Sequence, residues 1–221
     1  IRRQRQMCIR DRLIGLVGKS CSGKNYVGTL LERMGFEVLD LDVLGHEGLC
    51  ANADAIESVF GNDVMTMEDG VLSVSRKALS RKVFDDPSLR KALEDILYPW
   101  MERRILEHEA LRGGSVLVLN GALLHRAGID RLCKAVIYVD APYEVRLKRA
   151  FERDGISEEA FQKREAAQED VDFRDNAYRC PVFVVENGFG AEKRELNRQI
   201  VDICDRIGIT DIKGNENHEE E

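Results

Sequence analysis

Short apolar runs alternate with amphipathic stretches along most of this chain. Leu13-Ile14-Gly15-Leu16-Val17 is the first run, and it ends at Gly18. After Lys24 the period lengthens. Val27, Leu30, Leu31 and Met34 recur at helical spacing and predict one buried face, which Gly35 stops. Residues 36–39 read as a second strand, ending in Asp40-Leu41-Asp42. Residues 43–60 predict a helix stopped by Gly61-Asn62, and Asp69-Gly70 predicts a turn. Ser75 is placed to cap a helix through Phe84. Pro87 opens another helix, with Leu89, Leu93, Ile96, Leu97 and Trp100 on one face; Pro99 inside it should kink or divide it.

The second half repeats the alternation. Gly113-Gly114 precede a buried strand at 115–119, and Asn120-Gly121 opens a loop. A strand at 135–139 ends at Asp140, and Pro142 starts a helix carrying Arg146, Lys148, Arg149 and Arg153. Asp154-Gly155 breaks that helix. Ser157 caps the next one, with Glu158 and Glu159 favourable beside its positive dipole end. A last strand at 181–185 and a helix at 190–206 complete the pattern. Strands alternating with helices predict an α/β fold, a doubly wound parallel sheet of five strands flanked by helices.

The chemistry concentrates at the first strand-to-helix junction. Gly18, Gly23 and Lys24 stand at the spacing G-x-x-x-x-G-K of a P-loop. Phosphate oxygens need several inward-pointing backbone N–H groups, so the chain must take conformations that side chains obstruct. The following helix adds its positive end and unpaired amides. Lys24 is the residue to reach the β- and γ-phosphates. The plainer reading, a glycine-rich structural turn, accounts less well for a strand before the loop and a helix after it. The position after the lysine normally holds Ser or Thr for Mg²⁺. Here it is Asn25, whose amide oxygen can also ligate a hard cation.

Composition narrows the class. A chain of 221 residues, 43% hydrophobic and 33% charged, suits one domain, or one domain with a small insert, with a real core. Net charge −7 argues against a general nucleic-acid binder, and no apolar stretch is long enough to span a membrane. Residues 1–12 carry five arginines and one aspartate and read as a basic leader outside the fold. Residues 13–208 read as one P-loop domain, with a lid at about 142–180. Residues 209–221, with five acids and one lysine, read as a disordered acidic tail. Six cysteines without a C-x-x-C pair suit reduced thiols in the cytoplasm. Cys21 lies inside the loop, as a reactive thiol or as a small filler.

Phosphoryl transfer needs a phosphate cradle, a metal, cations and a group that orients the acceptor. Asp42, at the end of the second strand, is a base for a hydroxyl or a helix-capping carboxylate. Arg146, Arg149 and Arg153 share a helix face and Arg164 follows, which suits a closing lid or a solvated charged face. His46, His108 and His125 lack metal-like spacing, and Tyr98 and Trp100 suit a core.

These stretches together resemble the dephospho-CoA kinase family, from about Leu13 to Cys204. The resemblance rests on Gly15-Leu16-Val17-Gly18-Lys19-Ser20-Cys21-Ser22-Gly23-Lys24-Asn25 and on Met34-Gly35-Phe36-Glu37-Val38-Leu39-Asp40-Leu41-Asp42. It continues through Leu72, Arg76-Lys77-Ala78-Leu79, Val83-Phe84 and Leu97-Tyr98-Pro99. Arg153-Asp154-Gly155-Ile156-Ser157, Ala166-Ala167-Gln168 and Val184-Val185-Glu186-Asn187-Gly188 extend it. The resemblance implies a P-loop NTPase fold with a helical substrate region and a lid. It implies transfer of the γ-phosphate of ATP, with Mg²⁺, to the ribose 3′-hydroxyl of dephospho-CoA. Gly18, Cys21, Ser22, Gly23, Lys24, Asn25, Tyr26 and Asn187 would bind ATP. Asp42, Lys24 and Arg149 would be catalytic, with Arg153 and Arg164 in the lid, and Asn25 would face the metal. His46, Tyr98 and Asn120 would sit on the acceptor side.

The departures fall on polar positions. Asn25 replaces Ser, Lys19 replaces Gly, His46 replaces Arg and Tyr98 replaces His. Asn120-Gly121-Ala122-Leu123-Leu124-His125 replaces Asp-x-Pro-Leu-Leu-Phe, so an acid is lost. Two other readings stay open: a P-loop kinase for a different small hydroxyl or nucleotide, and a nucleotide-binding regulatory protein without turnover.

Overall fold

Leu13–Val17 forms β1, and every residue in it is buried. That burial marks the central strand of a sheet covered on both faces. The computed structural model describes residues 11–209, apart from 69, 85, 113, 114 and 191 and the side chains at 68, 71 and 109–112. Most of the expected leader (1–10), the tail from 210 onward, Asp69 and Gly113-Gly114 lie outside the described residues.

Two compact units divide the chain; Leu41–Leu111 is one, and the residues before and after it make the other. In the latter, five parallel strands lie in the order β2, β5, β1, β6, β7. They are β2 (Glu37–Asp40), β5 (Leu117–Asn120), β6 (Ala135–Asp140) and β7 (Val182–Glu186) around β1. The expected five-stranded parallel sheet is present, with strand ends shifted by one or two residues. Its helices are α1 (Lys24–Arg33), α6 (Tyr143–Asp154), α7 (Glu158–Ala166) and α8 (Lys193–Ile207). Val27, Leu30 and Leu31 of α1 are buried on the face the periodicity predicts. They join Ile14, Leu16, Ile137, Val139, Leu196 and Ile200 in one core, each large side chain contributing roughly 1.5–3 kcal/mol.

Register brings polar ends together at the C-terminal edge. Asp40 pairs in register with Asn120, and Asp140 with Glu186. That edge is where open α/β sheets bind ligands.

The unit Leu41–Leu111 contains α2 (Leu41–Ala51), α3 (Ala53–Phe60), β3 (Met65–Glu68), β4 (Val71–Val74), α4 (Arg76–Phe84) and α5 (Pro87–Arg112). Three expectations change here. The single helix over 43–60 is two helices broken at Asn52, whose side-chain amide donates to Gly48 O at 2.7 Å. An Asn side chain that bonds local backbone competes with helix continuation. Residues 62–74, expected only to contain a turn, hold an antiparallel hairpin, with Met65 opposite Val74 and Met67 opposite Leu72. Pro99 lies inside α5 without dividing it. Leu97 and Trp100, on either side of Pro99, pack within 3.3 Å of the place a Cβ would take on Gly48, which holds the helix on both sides of the missing N–H. Ser75 Oγ accepts from Ala78 N–H at 3.4 Å, as its capping position predicts.

Between β5 and β6 the chain is pinned by Asp130, which is fully buried. Its carboxylate takes the Arg179 guanidinium at 2.7 Å, the Arg179 N–H at 3.0 Å and His125 Nδ1 at 3.0 Å. His125 stacks on Tyr178, 4.6 Å between ring centres. Burial pushes the Asp130 pKa up, but these donors outweigh it and hold the carboxyl below its ordinary value. Asp130→Ala is expected to lower the unfolding free energy by about 3 kcal/mol at neutral pH, read by urea titration. Because the folded pKa is depressed, this contribution is full above the unfolded pKa of about 3.9 and fades as pH falls below it. The wild-type advantage should therefore shrink in acid, and a constant gap down to about pH 2 would contradict the assignment.

Candidate active site at the phosphate loop

The loop between β1 and α1 folds so that its carbonyls are held on one side. Ser22 N–H donates to Lys19 O at 3.1 Å, closing a tight turn. Cys21 has φ 61, a left-handed conformation that is the exception among described non-glycine residues. Gly23 has φ 97. A Cβ on Gly18 would lie 2.7 Å from Val139 O, and one on Gly23 would overlap the Asn187 amide. Both glycines are thus required for space, and Gly23 for conformation as well. Ser22 is 1% exposed and its hydroxyl has no protein partner. A left-handed cysteine and an orphan hydroxyl both cost stability, and such costs collect where a loop is shaped for a ligand.

Two side chains fix the outer face of the loop. Asn187 Nδ2 donates to Ser22 O at 2.7 Å. Arg149 donates to Cys21 O at 3.3 Å, Ser22 O at 3.2 Å and Asn187 O at 3.1 Å. With the Ser22 carbonyl turned outward, the trans peptide turns the Gly23 N–H the opposite way. The first helical bond of α1 runs from Val27 N–H to Gly23 O. The amides before it have no intrahelical acceptor. No side chain caps this end and no acid occupies its first turn. Uncapped amides on a dipole's positive end favour an anion. Lys24 extends from the same turn, its ammonium donating to Asn120 Oδ1 on the neighbouring β5.

The segment after β6 attaches to the loop at several points. Arg146, expected either in a lid closing over phosphate or on a solvated charged face, is buried and pairs with Glu165, so it joins α6 to α7; it also reaches Ser20 O at 3.5 Å. Gln168 Oε1 accepts from Ser20 N–H at 2.8 Å. Lys19 lies 3.4 Å from Asp172. Burial raises the Asp172 pKa, but the Arg174 amide and the Lys19 and Arg174 charges outweigh it and hold the carboxyl below its usual range. Arg153 and Arg164 meet on Asp154, at 2.8 and 2.6 Å, and hold that carboxyl far below its ordinary pKa. Ser157 caps α7 as expected, accepting from Ala160 N–H at 3.3 Å.

The other unit carries the remaining expected residues. Asp42 and His46 lie one turn apart on α2, both exposed, so they share a face. Tyr98 is half-buried on α5, next to the residues that pack on Gly48 of α2.

A phosphate loop, a lysine in its helix and an arginine-bearing segment over it define a class of site, and similarity supplies the family. The sequence profile of the dephospho-CoA kinase family matches residues 12–189. The chain belongs to the dephospho-CoA kinase family. A dephospho-CoA kinase of Parasynechococcus marenigrum is 40% identical over 163 residues, 72% of this chain and 80% of that one. One of Geobacter sulfurreducens is 36% identical over 200 residues, covering 86% and 96%. A crystal structure from Thermus thermophilus, 31% identical, superposes with a TM-score of 0.71 over 88% of this chain and 96% of that one. The fold is also that of the dephospho-CoA kinase from Campylobacter jejuni, with a TM-score of 0.61, 23% identity and coverage of 89% and 96%.

For this member of the dephospho-CoA kinase family, sequence reasoning singled out the loop and expected Asn187 at ATP; the structure sets Asn187 against the loop's Ser22 carbonyl, and the pairing of Lys19 with Asp172 was missed. So was the use of Arg146 and Gln168 as attachments of the segment after β6. These pairs are far apart in sequence, and no local pattern signals them. The loop geometry makes a paired prediction for thermal unfolding and ATP titration. Cys21→Gly should stabilise the fold by about 1 kcal/mol by removing the left-handed penalty. Gly23→Ala should destabilise it and weaken ATP binding by at least about tenfold, because the new Cβ displaces Asn187. Equal behaviour of the two variants would show that the loop is not held in this conformation.

Proposed function

We propose that this chain transfers the γ-phosphoryl group of ATP to the ribose 3′-hydroxyl of dephospho-CoA, giving coenzyme A and ADP, the last step of coenzyme A biosynthesis. The observation that carries the reading is the uncapped, acid-free start of α1 behind a loop shaped by Gly18 and Gly23. Family membership names the acceptor. In this reading the amides of Gly23 to Tyr26 and the Lys24 ammonium take the phosphate charge, while Arg149 and Asn187 keep the loop open. Asp42 takes the proton of the 3′-hydroxyl as its oxygen bonds to the γ-phosphorus and the bond to the β-phosphate oxygen breaks. His46, on the same face of α2 as Asp42, and Tyr98 contact the acceptor. Arg153 and Arg164 serve the lid. The setting is the cytoplasm, in keeping with cysteines not bridged as disulfides at Cys21, Cys50 and Cys204.

Mg²⁺ is the metal proposed for the reaction, and it supplies charge neutralisation across the β- and γ-phosphates when bound. The donor set fits it only in part. Asn25, exposed in the first turn of α1, offers a neutral amide oxygen. The Asn120 oxygen is already taken by Lys24.

Asp42→Asn tests the assignment. Formation of coenzyme A, followed by chromatography, should fall at least about a hundredfold, while the ATP dissociation constant stays within about threefold of wild type. Loss of ATP binding would show instead that Asp42 supports the nucleotide site. Wild type that binds ATP but makes no coenzyme A would favour the regulatory reading, for which the neutral Asn25 and Asn120 are the specific observation.

A further inference from the structure

The neutral amides at Asn25 and Asn120 alter the demand of the nucleotide site for a divalent cation. In P-loop proteins the cation is held by the hydroxyl after the loop lysine and by a carboxylate at the end of a neighbouring strand. Both positions are amides here. Asn120 is 6% exposed and ends β5, beside β1. Its one ligating atom, Oδ1, accepts the Lys24 ammonium. The second lone pair of that neutral oxygen sits beside the Lys24 charge, and Nδ2 is a donor that repels a cation. Mg²⁺ prefers carboxylates, holds its waters tightly and gains little from a neutral oxygen. Among the described residues, no three His, Cys, Asp or Glu side chains group as a metal site.

The anion-binding parts need no metal. They are the backbone amides at an uncapped helix start, a first turn without acid, and a lysine in that turn. Free ATP also carries two more negative charges than its magnesium complex, which such a site attracts more strongly.

From this donor set, and resting on the ATP-donor reading above, we infer that the loop binds ATP without help from Mg²⁺. The metal, when present, rides on the nucleotide's phosphates and waters rather than on the protein. Asn120→Asp restores a carboxylate beside Lys24 and creates the dependence that wild type lacks. The register also places a carboxylate, Asp40, beside Asn120; Asp40 is itself engaged and does not take over as ligand.

The test is isothermal titration of the full chain with ATP, once in Mg²⁺ and once in EDTA. The wild-type dissociation constants should differ by less than about tenfold, with free ATP bound at least as tightly on electrostatic grounds. In Asn120→Asp, free ATP should weaken so that Mg²⁺ tightens binding by about tenfold or more. Wild-type binding that Mg²⁺ tightens by about tenfold or more overturns the inference, and its loss in Asp40→Asn would name the carboxylate responsible. An Asn120→Asp variant as indifferent to Mg²⁺ as wild type overturns it also. No ATP binding in either buffer overturns the phosphate-loop reading as well. Magnesium-dependent binding accompanied by coenzyme A formation leaves the proposed function standing and removes only this inference.

Discussion

The structure depends on how one peptide is turned. The Ser22 carbonyl is held outward by Asn187 Nδ2 at 2.7 Å and by Arg149 at 3.2 Å. A trans peptide then directs the next N–H inward, toward the start of α1. Everything nearby serves that orientation. β1 is fully buried and sets where the loop begins, while Gly18 lets it pass Val139 closely. Gly23 leaves room for Asn187, and β6 and β7 bring Arg149 and Asn187 to the same edge through α6 and the Asn187 N–H to Asp140 O bond at 2.7 Å. A rigid sheet supplies the precision, and the loop bears the strain at Cys21.

The loop is also the anchor of the segment that follows β6. Ser20 N–H is engaged by Gln168 and Lys19 faces Asp172, so the outer side of the loop is tied down by protein while its inner side presents amides. Lys19 stands where the family pattern has a glycine. Its partner carboxylate explains how a charged residue is tolerated in a phosphate loop: the charge is spent on holding the neighbouring segment.

Much of this was legible in the sequence because it is local. The change from a short apolar run to helical spacing after Lys24 marked β1 and α1, and alternation of that kind along the chain marked the parallel sheet. The Ser75 and Ser157 caps were readable for the same reason, since each bonds an amide three residues away. What was not legible is non-local or decided by packing. Met65–Glu68 and Val71–Val74 are each too short to declare a strand alone, and only their pairing makes a hairpin. Pro99 should interrupt a helix by its own chemistry, but packing on Gly48 holds α5 together around it. Arg146 read as part of a lid or of a solvated basic face because spacing shows which residues share a face and not what covers them. Glu165 and the Ser20 carbonyl cover it.

The polar substitutions leave the phosphate cradle intact and change its chemistry around it. Lys24 keeps its place in α1, while its acceptor on β5 is an amide rather than an acid. Even so altered, the site performs the transfer its family is named for. The most direct measurement is ³¹P NMR of the full chain incubated with ATP, Mg²⁺ and dephospho-CoA. A new phosphomonoester on the ribose 3′-oxygen is expected, appearing one for one with ADP. Persistence of both substrates, or ADP formed without that phosphomonoester, would contradict it.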